Sequence, residues 1–228
     1  MLQDDVFLED EGNAWFQRNR VALEASAQDR HDWPLTMIGR LDEARRTGIG
    51  SVVELGCSNG WRLARLGKTL PARLVGVDAS ADAVADGVAR YPGLSLLQGG
   101  LADLPLREQF DLTIVFFVLH WIDRSNVARC IAEIDRVTRD GGLLVLGDFL
   151  PDYPQRRSYH HRPPEAGMFT YKQDYAKIFE AMGTYREIAR STFDHEHPGD
   201  HIKTAASGSR CVCTVLQKSL TGFYGEPA

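Results

Sequence analysis

Five residues with strand character, Ser51-Val52-Val53-Glu54-Leu55, run directly into Gly56-Cys57-Ser58-Asn59-Gly60. From Trp61 the pattern turns helical, with Leu63, Leu66 and Leu70 at spacings of three and four. A strand that feeds a glycine-bearing turn into a helix aims backbone N–H groups and the helix's positive end at a ligand. Gly56 and Gly60 let the main chain bend and let that ligand approach without a Cβ in the way. The next strand, Arg73 to Asp78, ends in an acid about twenty residues beyond the first glycine, the separation of a ribose-hydroxyl acceptor. Few folds tolerate this succession, and a doubly wound α/β sheet is the one built around it.

The spacing is Glu54-x-Gly56-x-x-x-Gly60, with an acid where strand meets loop. A dinucleotide's pyrophosphate would be repelled there, which opposes a nicotinamide-dependent oxidoreductase. S-adenosylmethionine (SAM) has no phosphate and carries an ammonium and a sulfonium, so the acid favours it. The pattern resembles the first motif of class I SAM-dependent methyltransferases, acid-x-Gly-x-Gly-x-Gly, with Ser58 in the middle glycine's place. The resemblance implies a cofactor site at Glu54, Gly56, Cys57, Ser58, Asn59, Gly60, Asp78 and Ala79. Gly99-Gly100-Leu101-Ala102-Asp103-Leu104-Pro105 is similar to the family's adenine-binding segment, Gly-Asp-Ala-x-x-Leu-Pro. Gly100 stands for its acid and Leu101 for its alanine, so the backbone contact is kept and the side-chain acceptor is not. Asp103 either substitutes from the next turn or caps a short helix.

Strand and helix alternate from Thr47 to Phe149. Strands are expected at 51–55, 74–78, 94–98, 112–117 and 142–148, with helices at 80–91, capped by Ser80 or Asp78, and 126–138, stopped by Asp140-Gly141-Gly142. Such units build a parallel sheet, with the ligand at the carboxyl ends of its strands, where Phe117 also falls. Two late strands, 185–193 and 210–218, supply an antiparallel edge. The whole is a Rossmann-like, doubly wound, mostly parallel seven-stranded sheet in a single domain, 1–228. Residues 1–46 are its N-terminal helical lid, 47–149 the SAM-binding core, 150–175 an acceptor-side loop, and 176–228 a C-terminal helix and strands.

In the lid, Asn13 is placed to cap a helix carrying Trp15 and Phe16. These rings anchor the lid to the sheet or cover a sulfonium, which an aromatic face attracts. The resemblance puts Trp15 or Phe16, and Asn19 or Arg20, at the cofactor. His120, past the fourth strand, matches the family's Val-Leu-His-His segment; it is a base at the mouth or a hydrogen-bonded core histidine. The segment 150–175 holds Arg156, Arg157, His160, His161, Arg162 and Lys172 against one acid, Glu165, between 156 and 172. In an acidic chain of net charge −5 this excess points to an anionic acceptor, or else to a solvated surface loop. Tyr159, Arg162, Tyr171 and Lys172 are the expected acceptor contacts, and His120, His160 and His161 the expected bases. A carboxylate acceptor needs only cations to place it, whereas a hydroxyl needs a base.

The motifs Glu-Gly-Asn-Ala-Trp-Phe-x-Arg-Asn, Gly-Cys-Ser-Asn-Gly-Trp-Arg-Leu, Tyr-His-His and Tyr-Lys-x-Asp-Tyr together resemble bacterial methyltransferases that tailor saccharides and natural products, including those esterifying a peptide's C-terminal carboxylate. That resemblance implies O-methylation of a small natural product, peptide C-terminus or saccharide. The acidic balance argues against a general nucleic-acid surface. No apolar run reaches membrane-spanning length, and the acidic amino terminus is unlike a signal peptide. Cys57, Cys130, Cys211 and Cys213 form no framework pattern, so reduced thiols and a cytoplasmic site are expected. Asp194-His195-Glu196-His197-Pro198-Gly199-Asp200-His201 reads as a hairpin end rather than a metal centre.

Overall fold

A computed structural model describes residues 2–28, 30–162, 167–197, 199 and 208–225. Its sheet is seven-stranded: β1 (Ser51–Leu55), β2 (Arg73–Asp78), β3 (Ser95–Gln98), β4 (Phe110–Phe116), β5 (Thr138–Phe149), β8 (Tyr185–Asp194) and β9 (Arg210–Lys218). The spatial order is β3-β2-β1-β4-β5-β9-β8. The first five are parallel, while β9 runs antiparallel to β5 and β8 antiparallel to β9. The order reverses between β1 and β4, and a sheet of this kind opens its crevice there.

Helices α5 (Trp61–Leu66), α6 (Ala81–Arg90), α7 (Val127–Val137) and α8 (Ala176–Ala181) make the crossovers and the cover. Val52, Val53, Glu54 and Leu55 are all buried, because β1 is central and covered on both faces. Alternate residues of the strands feed two apolar layers. Val53, Leu55, Val75, Val77 and Leu144 pack towards α7 and α8, whereas Val52, Leu74, Leu112, Ile114 and Val145 pack with Trp33, Met37 and Leu63.

Two expected boundaries move. Helix α7 ends at Val137, and Thr138 already pairs with Phe110. Gly141, at φ +73°, therefore sits in a register shift inside β5 and does not stop the helix. Nor does Asn13 cap its own helix. A continuous helical run comprises α1 (Gln3–Val6), a π-turn (Phe7–Glu11) and α2 (Gly12–Gln28), so the chain is helical well before Asn13. Its amide oxygen instead accepts from Ser80 Oγ (2.8 Å) and Asp82 N (3.1 Å), closing the start of α6 alongside the Ser80 cap. Helices α3 (Trp33–Gly39) and α4 (Glu43–Thr47) complete the amino-terminal layer.

The segment after β5 is not a plain loop. β6 (Gln155–Ser158) and β7 (Phe169–Lys172) form an antiparallel hairpin. Glu165, Pro198, Asp200 and His201 lie outside the described residues.

Candidate functional site

The turn after β1 is held by paired backbone and carboxylate contacts. Gly56 N and Cys57 N both donate to Val77 O, at 2.7 and 3.1 Å, tying the loop to β2. Gly56 has φ +77°, and a Cβ there would run into Val118. Ser58 also adopts positive φ, and its N–H donates to Asp78 at 2.6 Å; the other Asp78 oxygen takes Ser80 N at 2.9 Å. Burial raises the Asp78 carboxyl above the usual range, while these two N–H groups oppose the shift.

Two cavities open over the carboxyl ends of the strands. The smaller, about 140 Å³, is largely apolar and is bounded by Val77, Asp78, Ala79, Gly100, Leu101 and Leu104 from the core. The amino-terminal layer closes it with Asp4, Phe7, Leu8 and Gly12. The larger, about 590 Å³, runs from Cys57, Ser58 and Arg62 past Trp33 and Phe193 to the β6–β7 hairpin. Trp15, Gly56, Phe117 and Trp121 border both. The junction is thus ringed by three aromatic side chains, an environment suited to a cation. Phe117 is strained there, at φ +59° with a bulky side chain, a conformation that collects at functional sites.

Under the loop lies a buried charge chain. Arg62 pairs with Glu54 and, at 3.0 Å, with Asp32. Burial works against the guanidinium charge, and the two carboxylates more than offset it. Burial pushes Glu54 up to about 7 despite Arg62. Glu54 was expected to face the cofactor as a free acid; it is instead neutralised by Arg62, with only Oε2 left without a hydrogen-bond partner. Ser58 Oγ is likewise buried and unpartnered.

Other expected residues fall elsewhere. Asn59 turns away from both cavities and donates to Asp86 at 2.8 Å, while Gly60, at φ +76°, backs onto Leu94 and Leu96. Arg20 points outward to Glu24 and Asp86, whereas Asn19 borders the larger cavity and bonds Trp15 O. Arg162 is engaged by Glu11 (2.5 Å) and Asp10 (2.5 Å), and Tyr159 donates to Glu11 at 2.6 Å. Tyr171 lies under the Arg124 guanidinium, 4.3 Å from its ring centre. Arg162 and Tyr171 therefore lie off the larger cavity and brace the hairpin, while Tyr159 borders that cavity with its hydroxyl already committed.

His120, His160, His161 and Lys172 all border the larger cavity. His120 is 3% exposed; its Nδ1 meets Asp148 at 2.9 Å and its backbone N–H donates to the same carboxylate. His160 and His161 are exposed at the rim, and desolvation together with His160's charge lowers His161. Lys172 Nζ sits 3.4 Å from the centre of the Phe149 ring, and desolvation lowers it. Two residues were missed. Asp4 reaches the smaller cavity from the first helical turn, and His195 reaches the larger one from the end of β8, packing on Phe117 and Phe149. The His195-x-His197 alternation was the available signal for the second; nothing marked the first.

Residues 53–146 match a methyltransferase domain family. A probable S-adenosylmethionine-dependent methyltransferase of Mycolicibacterium smegmatis is 28% identical over 203 residues, 85% of this chain and 71% of that protein. An uncharacterized methyltransferase of Synechocystis is 32% identical over 150 residues, 64% of this chain and 68% of that protein. The chain spans only 42% of each of two similar Mycobacterium tuberculosis proteins. Among solved structures, a Burkholderia thailandensis 1,6-didemethyltoxoflavin-N1-methyltransferase shares the fold at TM-score 0.67 and 13% identity, over 94% of this chain and 88% of that one. The chain belongs to the class I SAM-dependent methyltransferases.

Proposed function

We propose that the chain moves a methyl group from SAM to an oxygen atom of a small, negatively charged acceptor. The residues present fit SAM. The apolar smaller cavity beside Asp78 suits an adenosine, and the aromatic junction suits a sulfonium. Ser58, whose buried Oγ has no hydrogen-bond partner among the described residues, borders the larger cavity where an amino-acid ammonium would lie, whereas Glu54 lines neither cavity. Nothing in the loop offers a cation to a pyrophosphate, because Arg62 is held by Glu54 and Asp32.

When bound, SAM supplies a methyl carbon already activated by its sulfonium. The protein's task is then mainly to hold the nucleophile in line and close. Trp15, Phe117 and Trp121 shield the junction from water, and Asp78, Gly100 and Leu101 hold the adenosyl end. The reading of an anionic acceptor rests on Lys172. Its ammonium faces the larger cavity with no carboxylate within ion-pair distance among the described residues. Arg157 and the histidines add donors at the same mouth. Fold neighbours include an N-methyltransferase, but Lys172 and Arg157 add no attraction for a neutral nitrogen nucleophile, whereas they attract an anion. The same groups suit a carboxylate of a small natural product, a peptide C-terminus or an acidic saccharide.

Incubation with methyl-labelled SAM and a panel of small carboxylic and hydroxycarboxylic acids tests this. Label is expected on oxygen, and Lys172→Met is expected to raise the acceptor KM about 10- to 100-fold while leaving the affinity for S-adenosylhomocysteine unchanged. Label on nitrogen, or a Lys172→Met enzyme with unaltered KM, contradicts the reading.

A further inference from the structure

Strand β5 ends in Asp148-Phe149, and three nitrogen bases gather on that phenyl ring. His120 meets its edge at 5.1 Å, His195 packs at 5.1 Å, and Lys172 lies over it at 3.4 Å. Among the described residues, His120 alone of these is oriented by a carboxylate. Asp148 is 2% exposed and accepts from the His120 ring Nδ1, the His120 backbone N–H and the Phe149 backbone N–H. Binding Nδ1–H this way leaves Nε2 as the lone-pair nitrogen, and no group among the described residues hydrogen-bonds it. A buried Asp–His pair is costly to desolvate, and a carboxylate nucleophile, already ionised, has no use for it. Only an acceptor with a proton to lose does.

Trp33, Phe193 and Phe116 stack on one another, and Trp33 and Phe193 are 1% and 2% exposed, so these rings form a closed wall of the larger cavity. Its volume, about 590 Å³, lies in the usual range of small-molecule sites.

We propose that the acceptor is a small molecule bearing both a hydroxyl and an anionic substituent, and that the His120–Asp148 pair takes the hydroxyl proton. Lys172 and His195 hold the anionic substituent. As the O–H bond breaks, its proton goes to His120 Nε2 and the oxygen's electron pair forms the bond to the methyl carbon. The carbon–sulfur pair stays with sulfur, which leaves as a neutral thioether. Asp148 touches neither reactant; it is a positioning residue. The proposal rests on the methyl-transfer reading and narrows it to a methyl ether product.

The probes are 2-, 3- and 4-hydroxybenzoate, with benzoate and phenol as controls. Calorimetry on the protein loaded with S-adenosylhomocysteine is expected to show at least one hydroxybenzoate binding ten times or more tighter than phenol, with Lys172→Met removing the difference. Turnover is expected to give the methyl ether. Asp148→Asn presents an amide that reverses the tautomer, so kcat is expected to fall 10²- to 10⁴-fold with KM little changed. Nitrogen NMR of the wild type, without turnover, is expected to show neutral His120 as the Nδ1–H tautomer. An Nε2–H tautomer, a methyl ester of benzoate, or phenol binding as tightly as the hydroxybenzoates overturns the proposal. If S-adenosylhomocysteine itself fails to bind, the methyl-transfer reading falls and this one with it; if it binds while the other results fail, only this proposal falls.

Discussion

Phe117 holds a φ of +59° with six-membered rings or imidazoles on several sides: Phe116, His120, Phe149, Phe193 and His195. That conformation costs about 1–3 kcal/mol, and packing on this scale is what keeps it populated. Gly56 presents the complementary case, a positive φ adopted at no steric cost. Gly56→Ala adds left-handed strain and a methyl group driven into Val118. Urea unfolding is expected to show a loss of about 1–3 kcal/mol, with S-adenosylhomocysteine affinity weakened alongside. Residue types at the turn were readable in the sequence because glycine, acid and strand spacing are local signals. Partners were not. Glu54 and Arg62 are eight apart and their pairing followed the helix's first turn, but Asp32 joins them from another element altogether. His195, read as part of a hairpin end, was not placed at the site for the same reason: only the fold carries the end of β8 to Phe149.

The amino-terminal helix and the β6–β7 hairpin are fastened by one cluster. Glu11 takes Tyr159 Oη, Arg18 and Arg162, and Asp10 takes the other arm of Arg162. Burial raises Glu11, but these three donors prevail and leave its carboxyl below the ordinary range. A carboxyl depressed in the folded state stabilises above its unfolded value, about 4.3, and that stabilisation disappears as pH falls through the folded value. Glu11→Gln is therefore expected to cost about 1.5–3 kcal/mol at neutral pH and to shrink the difference from wild type as the pH drops below 4. Amide exchange in 155–158 and 169–172 is expected to quicken in the variant, and unchanged exchange would show that the cluster does not hold the hairpin. This arrangement was poorly legible. A π-turn at Phe7–Glu11 leaves no capping signature, so the helix seemed to begin near Asn13. The four-residue strands of the hairpin are separated by a Pro/Gly-bearing stretch that reads as loop. The cationic excess there was real, yet Arg162 is committed to Glu11 and Asp10.

At the scale of the molecule, the strand order β3-β2-β1-β4-β5-β9-β8 brings Gly56, Asp78, Gly100, Phe117 and Phe149 to one edge of the sheet. The alternation of β-branched runs with amphipathic helices made that edge predictable, since right-handed crossovers leave few other orders. Among the described residues no helix is long and apolar enough to cross a membrane. We propose that the lid, core, hairpin and late strands work as one unit, the first closing the smaller cavity and the third the larger. The central claim is that the crevice takes a phosphate-free adenosyl cation or its neutral product. Thermal unfolding with S-adenosylhomocysteine and, separately, NAD tests it most directly. At a hundredfold excess over its Kd, S-adenosylhomocysteine should add about 2.7 kcal/mol and raise the Tm by about 5–10 °C, while NAD leaves it unmoved. A shift with NAD and none with S-adenosylhomocysteine would contradict the account.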